Sequence, residues 1–243
     1  MYAYNRREDN ELSHIHKKRP NTRLQIIQLA AKLFIDEGYQ NTSIAKLAKI
    51  LDLSPGNITF YFKSKEHMLA VLVDEQIDFQ RLMMEQAANE GTSSLLAYCL
   101  ELAAMASICE EDDAAKEYFA SAYTSDLTLK LIRKSDTEKT KAVFGNYCPN
   151  WTQEQWAATE NIVSGIEYAT IMTKETEISL PVQIERALNS ILLLYAVPED
   201  QRRSKIQKVL SMDYRALGRT ILADFKQYIS EVNEQNLKNE SAE

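Results

Sequence analysis

The stretch LAKILDLSPGNITFYFKSKE, Leu47 to Glu66, constrains the fold more than any other part of the chain. Apolar residues recur at helical spacing as far as Leu51, and the period stops at Asp52. Ser54 then offers an oxygen to the free N–H groups of a new helix, and Pro55 takes its first position, where a missing N–H costs nothing. A short helix is therefore expected to run on to Phe62 or Lys63. Upstream, Leu24, Ile27, Ala31 and Phe34 mark a first helix from Thr22 that Gly38 stops. Thr42 or Ser43 can cap a second helix, whose apolar face is Ile44, Leu47, Ala48 and Leu51. A supporting helix followed by two short helices and a tight turn is the helix-turn-helix arrangement.

The aromatic run Phe60, Tyr61 and Phe62 can be sorted by angle. At about 100° per residue, Ile58 and Phe62 share one face and pack against the first two helices. Gly56 and Phe60 point the opposite way, with Pro55 and Thr59 on one flank and Asn57 and Tyr61 on the other. So short a helix cannot bury Ile58, Phe60, Tyr61 and Phe62 together, which leaves Phe60 and Tyr61 at the surface. The alternative for Phe60 is burial against a fourth helix. An exposed face of small residues, an amide and aromatic edges suits a DNA major groove: small residues allow close approach, Asn pairs with adenine, and apolar edges meet thymine methyls.

From Leu33 to Leu69 the chain reads LFIDEGYQNTSIAKLAKILDLSPGNITFYFKSKEHML. In order, spacing and turn chemistry this resembles the N-terminal signature of the TetR family of bacterial transcriptional regulators, over roughly residues 22 to 70. It departs at Lys46, where an acid is frequent, at Asp52, where the turn glycine usually stands, and at Thr59, where the family has a tyrosine. The resemblance implies phosphate contacts from Thr42, Ser43, Tyr61 and Lys65, and groove contacts from Pro55, Gly56, Asn57, Thr59 and Phe60. Hydroxyls, helix N-termini and lysines suit phosphate oxygens on physical grounds as well. For Lys65 the alternative is a solvated lysine at a helix start. The altered turn and recognition residues carry no base preference over from the family.

The rest of the chain is expected to be all-α, because only six glycines and five prolines interrupt 243 residues rich in helix formers. A long fourth helix is read from Glu66 to about Ala88, then helices at 94–110, 113–123, 126–147, 152–174, 181–197 and 201–232. The organisation expected is a flexible basic tail (1–20), a DNA-binding domain (21–66), a helical regulatory and dimerisation domain (67–235) and a disordered tail (236–243). Charge divides in the same way: residues 1–66 hold 11 Lys and Arg against 7 Asp and Glu, net +4, and residues 67–243 hold 17 against 28, net −11. A basic head suits nucleic acid. The longest apolar run, Ile191 to Val197, is too short to cross a bilayer, so no membrane partner and a cytoplasmic location are expected. Cys99, Cys109 and Cys148 form no metal or disulfide spacing and read as buried thiols. His14 and His16, on the tail, lack the further ligands a metal site needs. No metal and no cofactor are expected.

Two late segments carry long apolar faces: Leu188, Ile191 and Tyr195 belong to one, and Leu210, Leu217 and Ile221 to the other. The resemblance favours pairing of C-terminal helices between two subunits, and these six residues are the expected interface. The segment with Gly165 and Ala169, four apart, competes for that role because small residues let another helix approach. The resemblance also implies a small-molecule pocket, for which Tyr98, Met105, Tyr118, Tyr123, Trp156, Tyr168 and Met172 are the candidate lining. The function implied is a homodimeric repressor released from an inverted-repeat operator by an effector. The alternative is an architectural or cell-cycle DNA binder of the same fold without an inducer. No nucleophile–base or paired-carboxylate constellation stands out, and catalysis is not expected.

Overall fold

The computed structural model of the protein describes residues 22–172 and 177–239. Within them lie eleven helices and no strand. The first three are α1 (Thr22–Asp36), α2 (Ile44–Ile50) and α3 (Pro55–Tyr61). They are followed by α4 (Lys65–Asn89), α5 (Ser94–Glu111), α6 (Asp113–Thr124) and α7 (Asp126–Phe144). The chain closes with α8 (Gln153–Met172), α9 (Leu180–Leu194), α10 (Glu199–Leu210) and α11 (Tyr214–Asn239). The all-α expectation holds, and most boundaries fall within three residues of those read from sequence. The expected basic tail, with His14 and His16, lies outside the described residues, as do residues 240–243; α11 runs on to Asn239, past the expected start of the second tail.

The segment expected as one helix over 201–232 is two. Ser211 caps α10, its N–H bonding back to Gln207 and Lys208, and Asp213 Oδ1 accepts the N–H of Ala216 at 2.9 Å to start α11. The sequence signal for this break, Ser-Met-Asp, carries neither glycine nor proline. A side-chain cap makes the break instead.

Helix α5 organises the packing. Its sequence SLLAYCLELAAMASICEE is apolar all round, and such a helix belongs inside. It touches every helix from α4 to α11. One apolar cluster joins α1–α4 to the C-terminal end of α5, α6 and α11; a second joins the rest of α5 to the end of α7, α8, α9 and α10. Met105 of α5 packs against both. The three cysteines are buried, and burial pushes the Cys99 and Cys109 thiols up to about 12.

This packing corrects the expected dimer face. Leu188, Ile191 and Tyr195 are completely buried in the second cluster of the single chain. Leu210 and Leu217 pack on that same cluster, and Ile221 on the first. The amphipathic period was real, but α5 inside the subunit is what it covers.

At Gly218, α11 crosses α5 closely: an added Cβ would lie 2.9 Å from the Ala104 carbonyl oxygen and 2.5 Å from Ser107 Oγ. Alanine gains about 1 kcal/mol of intrinsic helical preference over glycine, whereas overpacking a tight crossing costs about 1–3 kcal/mol. Gly218→Ala is therefore expected to lower the urea midpoint despite being the better helix former. A raised midpoint would show that the crossing has slack.

Candidate nucleic-acid interface and effector cavity

The first three helices are held by local chemistry legible in the sequence. Ser43 caps α2, its Oγ accepting the Lys46 N–H at 3.1 Å, and Ser54 caps α3, accepting the Asn57 N–H at 3.2 Å. Pro55 occupies the first turn of α3. Between the helices Asp52 has φ 53°, the left-handed conformation that glycine usually supplies and that aspartate tolerates better than most residues. The replacement noted at this turn thus preserves its geometry.

The exposed face of α3 is the one derived by angle. Ile58 and Phe62 are buried, while Phe60 is 83% exposed and Tyr61 40% exposed. The two exposed rings meet edge-on at 5.2 Å, so each braces the other. Pro55, Gly56, Asn57 and Thr59 are exposed beside them. Asn57 Oδ1 accepts from Ser54 Oγ at 3.2 Å, leaving the amide N–H groups outward, and Thr59 Oγ1 donates to the Gly56 carbonyl at 3.1 Å. Burial of Phe60 against α4 does not occur.

Two of the residues assigned to phosphate stand elsewhere. Thr42 is fully buried, its hydroxyl donating to the Gly38 carbonyl at 3.2 Å, so its side chain closes the α1–α2 corner and faces no phosphate. Lys65 Nζ donates to the Tyr39 carbonyl at 2.9 Å and lies 3.9 Å from the centre of the Tyr39 ring. Burial lowers its pKa. It ties the start of α4 to that corner instead of standing as a solvated counter-charge. Ser43 and Tyr61 remain exposed. Lys63, exposed between α3 and α4, was missed from the sequence list although it adjoins the aromatic run.

A second feature lies behind these helices. A chamber of about 270 Å³ opens between α4, α5 and α11, lined by Phe79, Met83, Met84, Leu100, Ile221 and Phe225 among others. Adjoining it is a chamber of about 30 Å³ that reaches Tyr98, Tyr123, Asp136, Lys139 and Glu167. Gln76, Gln80, Glu101, Met105 and Phe119 line both. Of the seven residues proposed to line a pocket, Tyr98, Met105 and Tyr123 do so. Tyr118 is core beside Phe119 and Phe225, and Trp156 packs with Trp151 and Tyr195 in the second cluster. Tyr168 lies beside Tyr123, outside the lining, and Met172 is exposed at the end of α8. Leu217 and Ile221, expected at a dimer face, line the large chamber.

The polar end is a buried charge network. Lys139 Nζ bridges Glu101 Oε1 at 3.1 Å and Asp136 Oδ1 at 3.0 Å. Burial alone would depress Lys139, but Asp136, Glu101 and Glu167 hold it well above the usual lysine range. Asp136, Glu160 and Glu167 bring carboxylate oxygens within 4.8 Å of one another. Tyr123 donates to Glu167 at 2.9 Å and Tyr98 at 3.5 Å, and Tyr195 donates to Glu160 at 3.0 Å. Burial, then Asp136, pushes the Glu160 carboxyl up to about 7, and burial with Asp136 and Glu160 drives Glu167 well above its usual value. The sequence did hold a signal for these acids: Glu160 and Glu167 fall on the same helical stripe as Trp156, Val163 and Ile171.

A capped α3 with one exposed face, set against α1 and α2, is the helix-turn-helix arrangement. Residues 26–72 match the family model described as "Bacterial regulatory proteins, tetR family". The match covers the three-helix head and the start of α4, so this part of the chain is similar to the DNA-binding domain of that family. Its relatives carry regulator names. It is 31% identical over 83 residues to the "Probable HTH-type transcriptional regulator YttP" of Bacillus subtilis (strain 168), covering 34% of this chain and 40% of that one. It is 33% identical over 78 residues to the "Fatty acid metabolism regulator protein" of the same organism, covering 32% of this chain and 40% of the other. The chain thus matches well under half the length of these two relatives. A solved structure, "Crystal structure of gamma-butyrolactone receptor (ArpA-like protein)", aligns over 85% of this chain and 97% of its own at 18% identity and a TM-score of 0.45. No helix among the described residues is long and apolar enough to cross a membrane.

Two outcomes are expected. Phe60→Ala should leave stability within about 0.5 kcal/mol, as exposed substitutions do, while weakening operator binding by about 1–3 kcal/mol; thermal melts beside DNA titrations separate the two, and a large stability loss with intact binding would reject the exposed role. For Glu160 the folded-state pKa stands above the ordinary 4.5, so the folded protein keeps a proton that the unfolded chain releases. Stability is accordingly expected to fall as pH rises from about 4.5 through about 7. Glu160→Gln removes that titration and should gain on the parent by roughly 1–3 kcal/mol at pH 8 compared with pH 4. Parallel urea curves at the two pH values check this.

Proposed function

We propose that the protein is a homodimeric repressor acting in the cytoplasm, which leaves an inverted-repeat operator when a small molecule enters the chamber between α4, α5 and α11. Residues 21–66 serve as the reading head and residues 67–235 as the regulatory and dimerisation domain. Pro55, Gly56, Asn57, Thr59 and Phe60 meet the groove, and Ser43, Tyr61 and Lys63 meet phosphate. The observation that carries this reading is the 83% exposure of Phe60 on a helix whose other face is locked by buried Ile58 and Phe62.

Coupling from chamber to head runs through α6. Phe119 lines both chambers, and two residues earlier Glu117 accepts the backbone N–H of Gln40 and lies against Gly38. Gly38 has φ 95°, and an added Cβ there would lie 2.5 Å from the Glu117 carboxylate. An effector that displaces Phe119 therefore moves the group holding the α1–α2 corner. Lys226 of α11 pairs with Asp36 at 2.7 Å, a second tie between the chamber wall and the head. An architectural DNA binder without an effector would leave the chamber without a role.

Because the late apolar faces are spent inside the subunit, dimerisation is assigned to α8 and α9, which pack side by side. Their outer surface exposes Ile162 at 55%, Val182 at 45% and Leu193 at 57%, with Gly165 and Ala169 also exposed on α8. A two-fold dimer presents two identical heads, so its target shares that symmetry. Ile162→Glu is expected to yield a folded monomer in sedimentation with operator affinity reduced at least tenfold. A variant that remains dimeric and binds an inverted repeat normally would place the interface elsewhere. Binding by the parent should also weaken steeply with salt, since each neutralised phosphate releases counterions.

A further inference from the structure

We infer that the effector is an organic cation, with an apolar body in the large chamber and a protonated amine or comparable donor at the acidic end. This rests on the effector reading above and adds the chemical class. An apolar cavity of about 150 Å³ holds benzene, so the chamber of about 270 Å³ suits an apolar body of about ten carbon atoms. Aliphatic, methionine and aromatic side chains make up most of its wall, and its two charged lining residues, Glu90 and Glu101, are both acidic.

The preference comes from the small chamber. Glu101, Asp136 and Glu167 line it, with Glu160 behind, against the cations Lys139 and Arg133. With all four carboxylates ionised they exceed the two cations by two negative charges, an excess that the empty site relieves by keeping protons on Glu167 and Glu160. Lys139 is committed to Glu101 and Asp136, and Arg133 Nε donates to Ser164 Oγ at 3.0 Å. Glu167 and Glu160 are left with tyrosine hydroxyls alone. Two buried acceptors have no donor at all: Glu160 Oε1, on a residue 1% exposed, and Gln76 Oε1, on a residue that lines both chambers. A buried acceptor without a donor is costly, and a buried carboxylate without a cation more so. An ammonium group in the small chamber is donor-only and positive: it offers donors to Gln76 and Glu167, which line the chamber, and its charge favours the ionised form of Glu160 beside Glu167. A carboxylate ligand would bring more acceptors and a like charge to Glu101, Asp136 and Glu167. Fatty acids and other anions are therefore disfavoured.

Protons couple to this choice. Glu167 is faced by Tyr98 and Glu101 of α5, Tyr123 of α6, Asp136 and Lys139 of α7, and Glu160 of its own helix, with Tyr195 and Arg133 beyond Glu160. In the empty site burial and like charges favour its protonated form. An entering cation favours the ionised form and so displaces a proton. Lowering pH should then weaken binding, although an alkylamine itself stays protonated throughout, with a pKa near that of lysine, about 10.4.

Octylamine, octan-1-ol and octanoate, each below its aggregation limit, are titrated into the full-length protein by calorimetry at pH 8 and pH 5.5. Octylamine is expected to bind at least tenfold more tightly than octanol at pH 8, to lose at least fivefold at pH 5.5, and octanoate to bind more weakly than octanol. Glu167→Gln, checked for an unchanged circular dichroism spectrum, should remove the advantage of the amine and leave octanol binding intact. Octanoate binding as well as the amine, or amine binding indifferent to pH in the parent protein, overturns the assignment without recourse to any variant. Adding operator DNA separates this proposal from the effector reading. An amine that binds as described but leaves DNA bound supports the cation site and removes the inducer role. Octanol or octanoate releasing DNA where octylamine does not keeps the inducer role and rejects the cation.

Discussion

Burial of α5 is the constraint on which the remaining helices depend. A helix apolar on every side has no stable place at a surface, and at about 25 cal/mol per Å² of apolar area its exposure would be prohibitive. The surrounding helices must therefore wrap it. That requirement consumes the apolar faces of α9, α10 and α11, joins the two clusters at Met105, and holds α11 so close that position 218 admits only glycine comfortably. The large chamber is a consequence of the same arrangement. Where α4, α5 and α11 diverge, flexible methionines and aromatic rings line the gap without filling it.

The first three helices add local interactions to packing. The helices α2 and α3 have seven residues each and bury Leu47, Ala48 and Ile58 in the first cluster. Side-chain caps at Ser43 and Ser54, the left-handed Asp52 and the buried Thr42 hydroxyl fix their ends and the turn between them. Lys65 illustrates how chemistry suited to one partner is used for another. A lysine just after a helix-turn-helix invites a phosphate, yet its ammonium is claimed by a carbonyl and an aromatic face within reach.

Beyond the apolar cluster they share, the first three helices and the later ones are tied by specific polar contacts. Glu117 on α6 and Lys226 on α11 both reach the end of α1 or the corner after it, and both helices also wall the chamber. The chamber wall and the head are thus joined by two polar contacts. Contacts of this kind couple two sites only when a bound molecule interacts differently with two arrangements of the head, because a ligand indifferent to them shifts neither.

Much of the head was legible in sequence because local interactions determine it. The capping serines, Pro55, the angular separation of Ile58 and Phe62 from Phe60 and Tyr61, and the scarcity of helix breakers are properties of neighbouring residues, and the structure agrees with each. What tertiary structure alone decided is which partner each apolar or charged face finds. The period of Leu188, Ile191 and Leu217 specified a buried stripe but not whether α5 or a second subunit would cover it. Glu160 and Glu167 lay on the buried stripe of α8, yet only the approach of Asp136, Lys139 and three tyrosines from other helices made them one network. The physical reason is that periodicity records how a segment relates to its own axis, whereas packing relates residues far apart in the chain, and no local pattern encodes that pairing.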